Sequence, residues 1–192
     1  MHLQEYEFTV FFIDRKLSAA VALSFSHLIG LTCFGEGRSC KADTMSKYTR
    51  MAIGAFKSAE NHDEQMLTLM AMRNTKLPGV IESLIPLALG KSDPESLGPY
   101  TKGVSESLRA HVIYALAPLG LANKDKFLSV AMPIVLNPAE STEIRISAIA
   151  TMFQANPSFL ELQQLIAAAL WERNLEVRNF IMTTFKVLHR LN

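Results

Sequence analysis

Cysteine is scarce in this sequence. Only Cys33 and Cys40 occur among the 192 residues, on either side of the string Phe-Gly-Glu-Gly-Arg-Ser. A structural zinc site takes four ligands, and neither His27 nor His62 has a spacing that would supply the missing ones. We therefore expect no metal site and no cofactor. For the two cysteines, a small disulfide ring and a pair of reduced thiols both remain open.

Charged side chains are also few. They make up 19% of the residues, against about 25% in an ordinary globular domain, and the formal net charge is +1. A chain this close to neutral shows no excess of basic residues of the kind that nucleic-acid binding requires. We therefore expect no nucleic-acid partner. The hydrophobic share of 49% indicates a chain that buries apolar surface on more than one face, including against something outside these residues.

Long apolar runs are missing. A membrane-spanning helix needs about 20 apolar residues, whereas the longest candidate, residues 17–31, is interrupted by Ser24, Ser26 and His27. It predicts a buried helix and no membrane span. The first residues do not resemble a secretory signal, because Glu5 and Glu7 stand where basic residues belong. We expect no signal peptide in this chain. Either the chain is intracellular, or it is part of a full-length precursor that is extracellular and whose signal lies elsewhere.

Catalytic motifs are missing as well. No His-Glu-x-x-His occurs, no Ser-His-Asp set has sequence support, and residues 35–37 lack the Gly-Lys-Ser/Thr of a phosphate loop. A lone helical histidine such as His111 is more often a packing residue than a ligand. We predict that the chain is not an enzyme and has no catalytic residues.

Helical periodicity organises residues 17–192, while residues 1–16 form an N-terminal segment of uncertain structure. Boundary signals predict helices with short connections and two longer loops, 32–42 and 91–103. Asp43 is the predicted N-cap of the second helix, and Ser158 with Glu161 fits a capping box. The predicted helices cover residues 18–31, 43–59, 62–75, 78–90, 104–119, 125–136, 142–154, 158–172 and 175–191.

Repetition is the most informative pattern. Three predicted helices open with related strings that contain Arg109, Arg145 and Arg178, which are 36 and 33 residues apart. Such a period is typical of two-helix solenoid units that bury their faces by stacking. Pro86 and Pro133 occupy related positions in intervening helices, where they would bend the axis. We predict an all-α fold, a two-layer right-handed α-superhelix of HEAT-like antiparallel helix pairs.

The three arginines have a structural and a functional interpretation. We favour structural repeat arginines that reach backbone carbonyls of the neighbouring unit or nearby carboxylates, such as Glu106, Glu143 or Glu176. The alternative is an anion-binding ladder. The last helix has no partner after it, which would leave an apolar end face. We therefore infer that the chain is cut from, or shortened relative to, a longer array, and self-association through the exposed last repeat stays open.

A soft apolar stripe follows the helix predicted at residues 62–75. Met66, Leu67 and Met70 recur at helical spacing. Methionine suits adaptable surfaces, including those that face lipid. We expect these side chains to pack in the core.

Several strings resemble the α-helical superhelix of the large lipid transfer proteins, the family of vitellogenins and apolipophorins. The segment at residues 71–78 is similar to the family's Ala-Leu-Gly-Asn-x-x-x-Pro, with Arg73 in place of the glycine. Residues 111–116 resemble the repeat helix after the family's long loop. The overall likeness is to a vitellogenin-like yolk precursor of an invertebrate. The other strings lie at residues 133–137, 143–148, 154–158, 162–165 and 174–178.

The resemblance implies a role in lipid transport or yolk storage. In that family the superhelix wraps β-sheets that line a lipid cavity, and this sequence has no counterpart of those sheets. The chain would be a supporting arch whose partners are lipid-bearing β-sheet domains of the same or a parent protein, with lipid bound only indirectly. A secreted family also favours a disulfide between Cys33 and Cys40. The alternative function is a free-standing HEAT-like scaffold for protein–protein interaction.

Overall fold

The structure, a computed structural model, describes residues 19–34, 40–91, 105–118 and 123–191, and no strand occurs in these ranges. Helices build the fold, which confirms the all-α prediction. In chain order they are α1 Ala19–Phe34, α2 Ala42–Lys57, α3 His62–Thr75, α4 Pro78–Ser83, α5 Ile85–Ala88, α6 Glu106–Ala115, α7 Lys124–Leu136, α8 Thr142–Gln154, α9 Phe159–Trp171 and α10 Leu175–Leu191.

The helices form two layers. Layer A contains α1, α3, α6, α8 and α10, each packed against the next one in that order. Layer B contains the intervening helices α2, α4, α5, α7 and α9. Successive hairpins join one layer to the other, since α2 packs on α3, α5 on α6, α7 on α8 and α9 on α10. The right-handed sense of the superhelix stays a prediction.

The observed helix bounds agree best with the predicted ones where a polar N-cap residue precedes the helix. Asn61 accepts a hydrogen bond from the Glu64 N–H, and Ser141 accepts one from the Ile144 N–H. These bonds satisfy amides that have no partner inside the helix. The capping box at α9 is confirmed, because the Ser158 N–H donates to the Glu161 carboxylate and the Glu161 N–H donates to the Ser158 hydroxyl.

Two predicted boundaries were wrong at the start of the chain. Asp43 is not an N-cap, because α2 begins at Ala42 and its cap position is Lys41, which makes no side-chain bond. Asp43 lies instead in the first turn of α2, where its negative charge interacts favourably with the positive end of the helix dipole. The loop predicted from residue 32 begins later, since α1 continues to Phe34 and includes Cys33. Residues 1–16 and 92–103 lie outside the described residues.

The predicted helix 78–90 was also wrong. The chain forms two short helices, α4 and α5, which meet at Leu84. Pro86 lies in the first turn of α5, where its missing N–H leaves no hydrogen bond unmade. It therefore does not bend a continuous helix. Pro133, by contrast, does lie inside α7.

One contiguous core runs between the two layers. It is built mainly from aliphatic side chains, with large members in every hairpin. Burial of such side chains contributes the main favourable free energy of folding. The largest fully buried side chains include Phe56, Leu69, Met72, Leu84, Ile113, Leu116, Phe127 and Ile144.

Two glycines give a test of helix spacing. A Cβ built on Gly30 of α1 would lie 2.4 Å from the Asn74 carbonyl oxygen of α3, whereas one on Gly54 of α2 meets nothing within 4 Å. We expect Gly30→Ala to lower the free energy of unfolding by about 1–3 kcal/mol, because two backbones must separate. Gly54→Ala should raise it by about 0.5–1 kcal/mol. Urea unfolding monitored by circular dichroism measures both, and two changes of the same sign would contradict this packing.

Candidate functional site: the arginine ladder and the exposed apolar surfaces

The three repeat arginines occupy the same place in three helices. Each is the fourth residue of its helix, α6, α8 or α10. The N–H of each donates to the carbonyl of the N-cap residue four positions earlier, at 3.0 Å for Arg109, 3.1 Å for Arg145 and 3.0 Å for Arg178. The side chain of each cap in turn accepts the N–H of the residue before the arginine. The repeat seen in the sequence is therefore a repeat of local geometry.

Arg109 joins two hairpins. Its Nε donates to the Ala88 carbonyl, 2.9 Å away at the end of α5. Its two terminal nitrogens donate to the two oxygens of Glu140, at 2.6 and 2.7 Å. This forked geometry is the strong form of an arginine–carboxylate pair. Glu140 lies in the connection between α7 and α8, so the pair ties one hairpin to the turn of the next.

Arg145 repeats this arrangement one hairpin later. Its Nε donates to the Val135 carbonyl of α7 at 2.9 Å, and its Nη2 donates to the Glu172 carboxylate. Arg145 is only 4% exposed, so the charge depends on these partners. Glu172 follows α9 directly and also accepts the Asn174 N–H at 2.7 Å. We call the pairs Arg109–Glu140 and Arg145–Glu172 the arginine ladder.

The carboxylates named from the sequence are not the ones used. Glu106, Glu143 and Glu176 lie in the first turns of their helices and are exposed. The arginines instead turn inward, toward the carbonyls at the end of the preceding layer B helix. From there the carboxylate within reach belongs to the following connection, and that carboxylate is Glu140 or Glu172.

Arg178 differs from the other two. Its backbone has the same cap and the same hydrogen bond to Asn174. Its side chain is exposed, and no partner for its guanidinium lies within the described parts of the chain. The repeat therefore contains the two arginine–carboxylate pairs of the ladder and a third arginine, Arg178, at the same helix position but without a carboxylate partner among the described residues.

Two supporting residues were not found from the sequence. Gly90 follows α5 with a φ of 68°, and a Cβ there would lie 3.3 Å from the Arg109 Cζ. Glycine thus ends the helix in the left-handed region and leaves room for the guanidinium. Gln65 is the fourth residue of α3 and is buried, so it occupies the position that the arginines occupy later. A search for polar residues at the fourth position of each capped helix could have found Gln65.

Glu172 is held in its charged form. The hydrogen bond from Arg145, with smaller help from backbone N–H groups, lowers the pKa of Glu172 although partial burial acts to raise it. A carboxyl whose folded pKa is depressed stabilises the fold above its unfolded pKa, about 4.3. That stabilisation is lost as the pH falls through the folded value.

We expect Glu172→Gln to lower the free energy of unfolding by about 1.5–3 kcal/mol at pH 7, because a charge-assisted bond is replaced by a neutral one. At pH 3 the difference from the parent chain should shrink, since this pH lies below the unfolded pKa of the parent carboxyl and folding with a charged Glu172 then requires the release of a proton. Urea midpoints at the two pH values measure this. Glu176→Gln, at an exposed position on the same end, is the control. A difference that is equal at both pH values would contradict the role of the charge.

Lysine–glutamate pairs connect neighbouring helices of layer B. The Lys126 ammonium lies 2.7 Å from Glu82 of α4, and Lys124 lies 2.8 Å from Glu161 of α9. Burial raises the pKa of Glu161, but bonds from Lys124 and Ser158 lower it by more. Both pairs are partly exposed to solvent, so they contribute less than the arginine ladder.

A polar cluster joins α3, α6 and α8 at their ends. The Arg73 guanidinium lies 4.1 Å from the centre of the Tyr114 ring, a cation–π contact. It also donates to the Gln154 side chain at 3.5 Å. A hydrogen bond with Gln154 and the charge of Arg73 lower the pKa of Tyr114. Arg73 of α3 thus contacts side chains of two other layer A helices, α6 and α8.

Several helices of layer A expose large apolar side chains. Met70 of α3, Tyr114 of α6 and Met182 of α10 are each roughly two-fifths to one-half exposed. The expectation that the methionine stripe packs in the core was therefore wrong for Met70. It holds for Met66, which packs against the core. Met70 lies five residues after the buried Gln65, which places it on another side of the same helix.

Helix α9 exposes a broader apolar surface. Only Leu165 and Ala169 are buried in this helix, and its outer side is almost free of charge. Trp171 is 87% exposed and Phe159 is 75% exposed. Contiguous apolar patches on the surface of a protein often mark binding sites. We call this surface the α9 face; its members are Phe159, Leu160, Ile166, Leu170 and Trp171, together with Leu175 at the start of α10.

The two cysteines are bonded in the structure. The sulfurs of Cys33 and Cys40 are 2.00 Å apart, and Cys33 is buried at the end of α1. The bridge ties α1 to the segment that leads into α2. A ring this short stabilises a fold by about 2–3 kcal/mol.

Other predicted absences can be stated only for the described residues. There, no group of three or more His, Cys, Asp or Glu side chains is arranged to hold a metal ion. His111 is exposed, and its Nδ1 lies 2.7 Å from the Ser107 carbonyl of its own helix. None of the helices with described positions has the length and apolarity to cross a membrane.

Comparison with known families gives one match that covers most of the chain. The family model described as the vitellogenin TPR domain matches residues 11–186. The TPR unit is a helix pair of about 34 residues, shorter than the 40–47 of HEAT units. The arginine spacings of 36 and 33 residues agree better with the shorter unit.

Three curated proteins are similar over much of this chain. Vitellogenin-6 of Oscheius tipulae is 28% identical over 151 residues, which is 79% of this chain. Vitellogenin of Ichthyomyzon unicuspis is 27% identical over 70% of the chain, and vitellogenin-6 of Caenorhabditis elegans is 23% identical over 78%. The matched regions are 7–8% of the length of these relatives. No solved structure matches significantly.

Proposed function

We propose, from the premise that this chain belongs to the vitellogenin family, that it is the helical arch of a lipid-transport protein. In this proposal the arch packs against lipid-bearing β-sheets in other parts of a parent protein. It binds lipid only indirectly. Residues 17–192 form the superhelix segment, and residues 1–16 precede it.

One observation carries this proposal: the family match spans residues 11–186, and the helices described within that range pack in two layers. An array of hairpins offers long surfaces and few deep pockets, which suits support rather than enclosure. In this proposal the exposed Met70 and Met182 of layer A contact the sheets. Methionine adapts its shape to such contacts.

The arginines and cysteines support the same role. We propose that Arg109 and Arg145 are structural, because each has a carbonyl and a carboxylate as partners and neither guanidinium is left for an outside anion. A disulfide favours an oxidising compartment. The Cys33–Cys40 bridge therefore supports an extracellular site for the full-length protein.

The test compares the native protein with the isolated chain. Antibodies raised against the 192-residue chain would locate the native protein in a density gradient of tissue extract. We expect the native material at the low density of a lipoprotein particle. The purified recombinant chain, which has a mass of 21.3 kDa, should stay at the density of lipid-free protein. Organic extraction and mass spectrometry of both fractions quantify the lipid.

The opposite result would favour the alternative, a free-standing scaffold. Native material of about the chain's own mass, lipid-free and at protein density, would overturn the lipid-transport proposal. A recombinant chain that retains lipid through purification would contradict the indirect role.

A further inference from the structure

We infer that the polar cluster at the ends of α3, α6 and α8 binds a phosphate group, with Arg73, Lys76 and Tyr114 as its donors. A soluble phosphomonoester and a lipid head group present the same phosphate oxygens, and binding measurements separate these two sources. The inference concerns this surface alone and does not rest on the lipid-transport proposal. We call Arg73, Lys76, Tyr114 and Gln154 the Arg73 corner.

Arg73 differs from the arginines of the ladder in its partners. Arg109 and Arg145 each donate to a glutamate. Arg73 instead lies 4.1 Å from the centre of the Tyr114 ring and donates to the Gln154 side chain at 3.5 Å, which is long for a hydrogen bond. No carboxylate in the described parts of the chain forms an ion pair with it. The guanidinium is therefore positioned by two other helices while its charge is not neutralised.

The acidic residues of these three helices lie at their other ends. In the described parts of α3, α6 and α8, all the carboxylates are in the first turns, at Asp63, Glu64, Glu106 and Glu143. At 1.5 Å per residue, they lie about 12 Å or more from the Arg73 corner along each helix axis. An anion at the corner is therefore not repelled by the acids of the helices that form it.

The layer B helices that follow α3, α6 and α8 add little competing charge. Their acidic residues are Glu82 of α4, Asp125 of α7 and Glu161 of α9. Glu82 and Glu161 already bind lysines of α7. Arg73 and Lys76 therefore meet at most one free acid from these helices, and it belongs to the other layer.

Lys76 has an unusual backbone conformation. It follows α3 directly with a φ of 54°, in the left-handed region that glycine and asparagine adopt most readily. Asn156 has the equivalent position, fourteen residues after the start of α8, as Lys76 is after the start of α3. The negative end of the α3 dipole attracts a cation, but it does not require one at a left-handed residue. Such an outlier is a reason to assign a function to the exposed ammonium.

The surroundings of Tyr114 also favour negative charge. A hydrogen bond with Gln154 and the positive charge of Arg73 lower the pKa of Tyr114, although partial burial acts to raise it. The same charge attracts a bound anion. A guanidinium, an ammonium and a hydroxyl all donate hydrogen bonds. Phosphate suits this set better than a carboxylate, because a phosphomonoester offers three strong acceptor oxygens and matches the fork of an arginine.

Calorimetric titration of the 192-residue chain with inorganic phosphate, at constant ionic strength, measures the affinity. We expect Arg73→Met to weaken binding by about tenfold or more, because a charge-assisted hydrogen bond is lost. If Arg73→Met does not fold, Arg73→Lys, which keeps the charge but not the fork, should fold and still bind phosphate more weakly. Arg178→Met is the matched control, since this exposed arginine lies near the start of its layer A helix. It should leave phosphate binding unchanged.

Lys76→Gly separates a binding role from a structural one. It should weaken phosphate binding by about three- to tenfold, because one cation is removed. It should also raise the melting temperature by about 2–4 °C, since glycine adopts the left-handed conformation without strain. A lysine that served only the fold would not combine these two effects.

Vesicles distinguish the two sources of phosphate. The chain is sedimented with phosphatidylcholine vesicles that contain or lack phosphatidic acid, a lipid phosphomonoester. Binding that requires phosphatidic acid, is weakened by Arg73→Met and is displaced by inorganic phosphate assigns the corner to a lipid head group. Binding of inorganic phosphate without binding to vesicles assigns it to a soluble phosphomonoester.

Three outcomes contradict the inference. The first is that neither inorganic phosphate nor phosphatidic acid binds. The second is that Arg178→Met weakens binding as much as Arg73→Met, which would reduce the effect to the general attraction of surface charge. The third is that acetate binds as tightly as phosphate, which would make the corner a carboxylate site.

Discussion

Replacing Arg145 by methionine is expected to lower the free energy of unfolding by about 3–5 kcal/mol. Methionine can fill much of the space of the side chain, but it cannot donate to the Val135 carbonyl or to the Glu172 carboxylate. Glu172 would then be a largely buried charge without its guanidinium. Leaving the Glu172 charge buried and unpaired costs more free energy than the intact pair contributes to stability. Removing one partner alone should therefore destabilise the fold by more than the net contribution of the pair.

The chain contains a matched control for this change. Arg178→Met removes the same type of side chain from the same helix position, but the guanidinium is exposed and has no described partner. It should stay within about 0.5 kcal/mol of the parent chain. Urea unfolding at pH 7 measures both variants. Equal losses would show that the fourth helix position matters for a reason other than the ladder. If Arg145→Met does not fold, Arg145→Lys, which keeps the charge, should fold and still be destabilised.

Phe127→Ala is the second change with a large expected effect, about 3–5 kcal/mol of lost stability. Phe127 lies in the first half of α7, has no exposed surface and belongs to the core between the layers. Removing its ring loses the transfer free energy of the buried atoms and leaves a cavity that the two layers can close only in part.

Phe159→Ala makes the same chemical change one hairpin later. Phe159 begins α9 and is 75% exposed, so its loss should alter stability by less than about 0.5 kcal/mol. The comparison isolates burial, since both residues lie near the start of a layer B helix. A large loss for Phe159→Ala would mean that the α9 face is already covered in solution. Sedimentation of the parent chain would then show whether a second copy covers it.

The sequence was sufficient for much of the helical architecture. Helices α3, α8 and α10 were predicted with their observed bounds. The structure places a polar cap before each of them, at Asn61, Ser141 and Asn174. Periodicity and capping are local properties, so they can be read from a single chain. The break at Leu84 could not be read in this way, because Pro86 is compatible with a bent helix or with a new first turn, and packing decides between them.

The arginines of the candidate site could be predicted from the sequence, but their carboxylate partners could not. Repetition identified Arg109 and Arg145, since the period needs no structural knowledge. The partners Glu140 and Glu172 were missed because they lie in connections rather than in the first turns that helix rules consider. Which carboxylate an arginine reaches depends on how the layers stack. The exposure of Met70 was missed for the same reason, because an apolar side chain does not reveal which surface it faces.

The position of the ladder also has a mechanical consequence. Each closed pair links one hairpin to the turn of its neighbour, while the hydrogen bonds within each helix are independent of it. Sliding one hairpin past the next would change the separation of guanidinium and carboxylate and leave the helices intact. Each contact between neighbouring hairpins in this part of the chain is therefore fastened by one charge pair beside a backbone carbonyl. Relative motion of the hairpins would therefore be concentrated at these contacts rather than spread along the helices.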